Sequence, residues 1–208
     1  MLIHLSLRGM SISQKYRAAR REKVLLAARR CFIRHGFHAT GMAEISQACR
    51  MSVGNLYHYF ASKEAIVQAI ADETRSRILP VLRRLEHHAD PIEGIIEIIL
   101  FGVREFCRAT DARLWMEISA EAPRNPLIRK LYRRFDREVR DVLIGLLRRA
   151  LRAKQLRADA DLETVSLWLV ALLDGAIARV SLEPKFDLAR TLDTLARSMR
   201  RSLTIQPG

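Results

Sequence analysis

The stretch that decides the fold runs from Gly36 to Glu64 and reads GFHATGMAEISQACRMSVGNLYHYFASKE. It contains two short segments with helical spacing of apolar residues, at about 41–49 and 53–60. Only the Arg50-Met51 pair and one serine separate them. Two short helices joined by a tight turn form a helix-turn-helix. We therefore predict this motif between Met42 and Phe60.

Capping residues and apolar spacing support the motif. Thr40 and Ser52 stand directly before the two segments, and hydroxyl side chains are favoured N-caps. The apolar residues expected to lock the two helices into one small core are Ile45, Ala48, Met51, Leu56 and Phe60. The residues between them on each helix are left for the outer surface.

Two longer helices flank the motif. The upstream one is predicted from Ser13 to Gly36, where a glycine with positive φ ends it. The downstream one starts at Lys63 after the cap Ser62 and runs to about Leu79, with a kink if it continues further. Residues 1–14 are predicted to be a flexible lead-in.

The rest of the chain predicts five more helices and no strands. They lie at roughly 91–109, 111–121, 125–155, 160–182 and 187–203. Glycine and proline are scarce, at 9 and 6 residues, and no clear alternation of apolar and polar residues appears. We expect an all-α protein of about nine helices. A three-helix domain at 15–79 carries the helix-turn-helix, and a larger helical bundle follows at 80–205.

Positive charge is concentrated at the start of the chain. Up to Lys63 there are eleven lysine and arginine residues against two acids, which accounts for +9 of the net charge of +13. A basic segment of this kind binds nucleic acid, binds an anionic membrane, or forms a solvated face. Charge alone leaves these three open, and the helix-turn-helix favours nucleic acid.

Neither the cysteines nor the histidines predict a metal or catalytic site. Cys31, Cys49 and Cys107 are odd in number and widely spaced, which indicates buried free thiols in a reducing cytosol. The adjacent His87 and His88 diverge by roughly 100° on a helix, unlike a metal-binding i, i+4 pair. No nucleophile–base signature or glycine-rich phosphate loop is present. We expect a cytoplasmic protein that is not an enzyme and needs no cofactor.

The motif also matches a known family. The residues G36-F-x-A-T-G-M-x-E-I-S-x-A-C-R-M-S-V-G-N-L-Y-H-Y-F-A-S-K-E64, with AARRCF at Ala27–Phe32, resemble the DNA-binding domain of the TetR family of transcriptional regulators. The close match covers about Arg20 to Leu79. Four positions depart from the family pattern: Arg50 replaces a common turn glycine, Gly41 a hydroxyl residue, Tyr59 a frequent histidine, and Ser46 the usual alanine.

The resemblance implies which residues contact DNA. It places phosphate contacts at Thr40, Ser52, Tyr57, Tyr59 and Lys63, with Arg50 as a further candidate. It places base contacts at Val53, Gly54, Asn55 and His58. Asparagine can pair with adenine, and valine can touch a thymine methyl group. Packing of the two tyrosines, a solvated histidine and purely structural caps are the competing interpretations.

The resemblance also implies a ligand cavity and a dimer in the second domain. Candidate cavity residues are Phe101, Phe106, Trp115, Met116, Glu117, Ile118, Glu121, Leu131, Phe135, Trp168 and Asp174. An ordinary core explains the same apolar residues. Candidate dimer residues on the last two helices are Leu169, Leu173, Leu188, Leu192, Leu195 and Met199, for which a purely intramolecular core is the alternative.

The function expected from these features is a homodimeric repressor that a small-molecule effector releases from a palindromic operator. A DNA-binding protein without an effector is the main alternative, and a packed interior without a pocket would favour it.

Overall fold

The computed structural model describes residues 11–106, 109–156, 158–183 and 185–204. The expected lead-in up to Met10 and the third cysteine, Cys107, lie outside these ranges. The described part contains nine α-helices and no strand, which confirms the all-α prediction. The helices are α1 (Ile12–Ala39), α2 (Met42–Ala48), α3 (Val53–Tyr57), α4 (Lys63–Glu86), α5 (Pro91–Phe106), α6 (Ala109–Glu121), α7 (Pro126–Arg152), α8 (Leu162–Leu182) and α9 (Leu188–Leu203).

The chain divides into two compact units, one up to Ile70 and one from Ala71 onward. The division falls inside α4, earlier than the boundary expected after Leu79. The first unit contains the two short helices of the predicted motif, and the second contains α5 to α9.

Helix α1 starts earlier than predicted. Ser11 caps it through a capping box in which its hydroxyl accepts from the Gln14 amide at 3.2 Å, while the Gln14 side chain accepts from the Ser11 amide at 2.8 Å. Ser11 and residues 12–14, expected to be flexible, are therefore the N-cap and the first residues of the helix. At the other end Gly36 has φ 80° and ψ 165° and breaks the helical path as predicted. This backbone region is accessible almost only to glycine.

Helix α4 continues through Pro80 to Glu86, well beyond the predicted end. Proline removes one intrahelical hydrogen bond and normally disfavours a helix interior. Ile78 and Leu82, on either side of the proline, are 3% and 2% exposed. Burial of these side chains holds both halves of the helix against the core of the second unit.

The second unit is a helical bundle built around α5, which contacts each of α6 to α9. A Cβ at Gly102 would lie 3.1 Å from the Leu173 side chain, so this glycine lets α8 approach α5 closely. Two ion pairs fasten other helices: Arg75 of α4 binds Glu138 of α7, and Arg200 of α9 binds Glu93 of α5.

Helix α8 is apolar enough, with a mean hydropathy of 1.7, to meet the length and composition of a membrane span. Core helices of bundles meet the same criteria, and α8 packs on α5, α6 and α7. Helix α8 is therefore one of the packed helices of the bundle.

Candidate nucleic-acid interface and regulatory cavity

The predicted helix-turn-helix is present. Helices α2 and α3 are joined by residues 49–52, and the Met51 amide donates to the Ser46 carbonyl at 2.9 Å to close the turn. Ile45 of α2 and Leu56 of α3 are both fully buried. Their burial fixes the two helices against each other, which is what a rigid DNA-reading element needs.

Arg50 has a φ of 54°, in the left-handed region that favours glycine. This explains why a glycine is common at the position in the family that the sequence resembles. Arginine accepts the conformation at an energetic cost, and its side chain remains exposed beside α3.

Helix α3 begins where predicted and ends sooner. The Ser52 hydroxyl accepts from the Asn55 amide at 3.2 Å, so the predicted N-cap is confirmed. The helix ends at Tyr57 rather than Phe60, and turn hydrogen bonds such as Tyr59 amide to Leu56 carbonyl, at 3.0 Å, cover the following residues. A single helical turn is enough to present the first residues of α3 to the base edges of DNA.

Seven of the ten predicted DNA-contacting residues are exposed. Tyr59 is half-buried, and a side chain at Gly54 would point into open space. The exposed members are Arg50, Ser52, Val53, Gly54, Asn55, Tyr57 and His58.

Thr40 is not the N-cap of α2. That position belongs to Gly41, which makes no side-chain cap. Thr40 is fully buried, and its hydroxyl donates to the Gly36 carbonyl at 2.8 Å. The hydroxyl stabilises the backbone break that ends the main run of α1, and this differs from the exposed phosphate contact that was expected.

Lys63 at the start of α4 is also engaged within the protein. Its Nζ donates to the Phe37 carbonyl at 2.7 Å and lies 4.0 Å from the centre of the Phe37 ring. The carbonyl and the ring face both favour the ammonium group. In this state Lys63 ties α4 to the segment after Gly36.

The thiols of Cys31 and Cys49 lie in the core of the same unit. Burial is the largest cause that raises the pKa of both thiols, so each is held in the protonated, unreactive form. Their location agrees with the expected free, buried cysteines. The described residues contain no cluster of three or more histidine, cysteine or acidic side chains able to hold a metal ion.

The second unit contains a small cavity of about 20 Å³ among α5 to α8. This is room for roughly one water molecule. Four predicted cavity residues line it: Phe106, Trp115, Phe135 and Asp174. The Phe106 and Trp115 rings are tilted against each other with 4.9 Å between their centres, and the Phe135 ring meets both of them edge to face.

Two polar residues of α7 that were not predicted, Tyr132 and Asp136, also line the cavity. The Tyr132 hydroxyl donates to Asp174 at 3.4 Å, a long hydrogen bond. Burial, followed by the charge of Asp174, raises the pKa of Tyr132 to about 12. Burial likewise raises the pKa of Asp136 and of Asp174. Tyr132 and Asp136 are four residues apart on an amphipathic helix and so lie on one face. This spacing is the sequence signal that could have identified both as inward-facing.

An open groove of about 530 Å³ adjoins the cavity and shares Tyr132, Asp136, Val170 and Asp174 with it. These four side chains therefore line both the cavity and the groove. Other polar and charged side chains that line the groove are Ser119, Arg129 and Arg133.

The other predicted cavity residues lie elsewhere. Phe101 packs on the hydrophobic core, and Met116 is 37% exposed. Glu121 is buried at the end of α6, and Glu117 is half-buried on the same helix, but neither is among the residues lining the cavity. Trp168 lines a separate surface groove with residues of α9. Ile118 is half-buried, and so is Leu131.

The predicted dimer residues lie in the core of the single chain or pack against it. Leu169 and Met199 are completely buried within a single chain, and Leu173 is 8% exposed. The α9 residues Leu188, Leu192 and Leu195 pack half-buried against the same core. Apolar periodicity alone cannot distinguish a subunit core from an interface. The exposed apolar side chains of α8 are instead Leu167, Trp168 and Leu182.

Comparison with known proteins agrees with this geometry. Residues 24–70 match the family described as bacterial regulatory proteins, tetR family. Residues 95–204 match the C-terminal domain of the BetI-type transcriptional repressors.

Individual relatives span nearly the whole chain. An HTH-type transcriptional repressor of Mycobacterium tuberculosis is 31% identical, over 92% of this chain and 98% of its own length. The regulator UidR of Escherichia coli is 32% identical, over 82% and 84%. The solved structure of Salmonella enterica GusR is 30% identical and covers 88% of this chain and 96% of its own, with a TM-score of 0.70. Bacillus subtilis FadR, solved in complex with stearoyl-CoA, has the same fold with a TM-score of 0.75 at 16% identity, over 88% and 98%.

Both family matches fall on the parts of the chain that the structure organises as the helix-turn-helix unit and the bundle. The relatives named here are regulators of transcription and not enzymes. The chain belongs to the TetR family and is a DNA-binding transcriptional regulator.

Proposed function

We propose that this protein is a cytoplasmic repressor that binds a palindromic operator as a homodimer and leaves it when a small molecule binds the second unit. The observation that carries the proposal is the rigid α2–α3 pair with an exposed, uncharged edge at Val53, Gly54 and Asn55. A recognition helix of this kind offers its first residues to base edges in the major groove.

The operator is expected in DNA near the regulator's own gene. The purified protein should retard such DNA with a steep dependence on salt, because lysine and arginine displace counterions from phosphates. Asn55→Ala should cost about 1–3 kcal/mol of operator affinity by removing a base contact. Ser198→Ala, at an exposed position of α9, is the control and should bind like the wild type. Failure to retard any nearby DNA at low salt would refute the proposal.

The homodimer is proposed to form through the outer face of α8. Leu167 is 56% exposed and Leu182 is 70% exposed, which is unusual for leucines on a long apolar helix. Between them lie Ala171 and Gly175, both exposed and small enough for a partner helix to come close. Burying such a face against a second copy removes apolar surface from water.

The effector is proposed to act at the aromatic cavity and its adjoining groove. FadR, which shares the fold, was solved with stearoyl-CoA, and this supports a small-molecule role for the second unit. The cavity holds only about one water at present. An effector must therefore separate Tyr132 from Asp174, whose long hydrogen bond is a weak barrier.

The tight interior also favours a second candidate function, a regulator that has no effector. The two are separated by testing whether small molecules release the protein–DNA complex. Val170→Phe would fill the cavity, and should abolish the response to an effector that releases the wild type while leaving operator binding intact. If no compound releases the wild-type protein, regulation without an effector is favoured.

A further inference from the structure

The first turns of α1, residues 11–23, form a basic segment outside the matched family region, which begins at residue 24. It carries five lysine and arginine residues and one acid, Glu22. None of its side chains is buried: Ile12 is 89% exposed and Tyr16 is 58% exposed. A helix this exposed gains little from packing against its own core.

The register of α1 shows which way the cations point. Val24 and Leu25 are 0% and 2% exposed and face the core of the first unit. Residues four apart share one helix face, so the same face continues backwards as Arg21 and then Arg17. Both arginines are exposed. This face of α1 is therefore apolar at Val24 and Leu25, where it packs on the core. It is cationic at Arg21 and Arg17, which are exposed.

The basic segment lies next to the helix-turn-helix. The Arg21 guanidinium carbon is 4.9 Å from the centre of the Phe60 ring, which immediately follows the predicted phosphate contact Tyr59. Stacking on a ring face leaves the N–H groups at the guanidinium edge available for an anion. Burial raises the pKa of Cys49, at the end of α2, and the charges of Lys23 and Arg20 partly offset this rise. The two cations are therefore close enough to α2 to act on its last residues.

One internal contact orders the exposed end of the segment. Arg20 lies 5.1 Å from the centre of the Tyr16 ring, and its Nε donates to the Tyr16 hydroxyl at 2.9 Å. Together with the capping box at Ser11, this contact keeps the first turns helical and their cations in register. The segment is thus an ordered row of positive charge.

We propose that this basic segment binds the phosphate backbone of operator DNA outside the base pairs that α3 reads. The inference rests on the proposed operator binding, because α3 brings a duplex to this side of the first unit. Arginine presents paired N–H donors that match phosphate oxygens. Arg17 and Arg21 contact phosphates directly, and the segment extends the footprint without adding sequence preference.

The test measures operator affinity as a function of salt for Arg17→Ala/Arg21→Ala. The control, Arg148→Ala/Arg152→Ala, removes an equally spaced exposed pair from α7 in the second unit, away from the proposed effector groove. The slope of log affinity against log salt should become shallower by about 3.6 in the first variant, from roughly 0.9 for each of the four phosphate contacts that the dimer loses. Its hydroxyl-radical footprint should lose protection at the outer edges only. The control should keep the wild-type slope and footprint.

The charge-conserving Arg17→Lys/Arg21→Lys variant should recover the wild-type slope, which excludes a folding defect as the cause. The inference would be overturned if the alanine variant kept the wild-type salt slope, or if the control became shallower by the same amount. Either result would leave the proposed operator binding intact. Binding of the wild type to phosphatidylserine vesicles, lost in the alanine variant without a change in DNA binding, would assign the segment to membranes and also overturn it. If the wild type binds no DNA, the proposed function fails together with this inference.

Discussion

Among the described residues of the first unit, Arg50 and Gly36 are the two whose backbone has a positive φ, 54° and 80°. A non-glycine residue in the left-handed region costs about 1 kcal/mol or more. Arg50→Gly should therefore stabilise the helix-turn-helix by about 0.5–1 kcal/mol, after the added freedom of the unfolded chain is deducted. Hydrogen exchange of the α2 and α3 amides should slow by about two- to fivefold.

Gly36→Ala is the opposite case and serves as the control. Its backbone conformation is accessible almost only to glycine, so alanine should destabilise the unit by about 1–3 kcal/mol. Faster exchange in Arg50→Gly would contradict the assignment of strain to this turn. Operator affinity of Arg50→Gly should fall in spite of the higher stability if the exposed side chain contacts a phosphate.

Two carboxylates of the second unit should affect stability with opposite dependence on pH. Burial raises the pKa of Asp174 above its ordinary value of 3.8, so the charged form costs stability once the pH exceeds the folded pKa. Asp174→Asn should be more stable than the wild type at neutral pH, and the gain should shrink as the pH falls towards 3.8.

Glu138 is the matched case of opposite sign. The hydrogen bonds from Arg75 hold its pKa below the ordinary 4.5. This stabilises the fold above pH 4.5 and is lost as the pH falls through the folded pKa. Glu138→Gln should thus be less stable than the wild type at neutral pH, with a deficit that shrinks in acid. Thermal unfolding of both variants at several pH values measures this, and an equal sign of the two effects would contradict the assignment.

At single residues, the sequence predicted local chemistry well and distant contacts poorly. The cap at Ser52 and the special backbone at Gly36 follow from each residue's nearest neighbours, and both are present. Thr40 and Lys63 were expected at the surface for DNA. The first instead bonds a carbonyl four residues back, and the second reaches Phe37, 26 residues away in sequence. Such competing partners cannot be identified from spacing alone.

At the scale of helices, the 3.6-residue period predicted the number and type of the elements but not which neighbour covers each face. Pro80 was expected to end or kink α4, yet burial of Ile78 and Leu82 carries the helix past it. In α8, apolar residues occur nearly all round. The structure shows that Leu169 faces the subunit core, whereas Leu167 is exposed.

The outer face of α8 gives the dimer proposal a direct test at Gly175. Nothing lies within 4 Å of a Cβ placed there, so Gly175→Leu should fit the single chain and, by replacing a helical glycine, stabilise it by up to about 1 kcal/mol. The same side chain should block a close partner helix. The variant should be more stable and should bind operator more weakly. Sedimentation should show that it is monomeric.

Gly145→Leu in α7 is the control, because a Cβ there also has open space. It should raise helix stability without changing the oligomeric state. A dimer of unchanged affinity in Gly175→Leu would place the interface elsewhere than this face.

At the scale of the molecule, the sequence predicted an all-α regulator with a cavity among α5 to α8, but not the composition of the cavity wall. Of the predicted aromatic residues, Phe106, Trp115 and Phe135 line the cavity, whereas Phe101 and Trp168 do not. Tyr132 and Asp136 were overlooked in an arginine-rich helix, although they share one helix face, and this face becomes part of the cavity wall where α7 packs against α8. A cavity wall depends on which helices meet, and this is a tertiary property.

If the whole protein acts as a dimer with two fixed reading heads, operator affinity should depend on the spacing of the half-sites. Two heads on one rigid dimer engage sites about one DNA turn, ~34 Å, apart, and the second contact then forms at high effective concentration. Inserting about 5 base pairs at the centre of the operator rotates one half-site to the opposite side of the duplex. Affinity should fall by about 10²- to 10⁴-fold, to that of an isolated half-site.

The control replaces the same central base pairs without changing their number and should bind as the original operator does. Equal affinity for the lengthened and original operators would mean that the heads bind independently, and the dimeric reading of a palindrome would then be wrong.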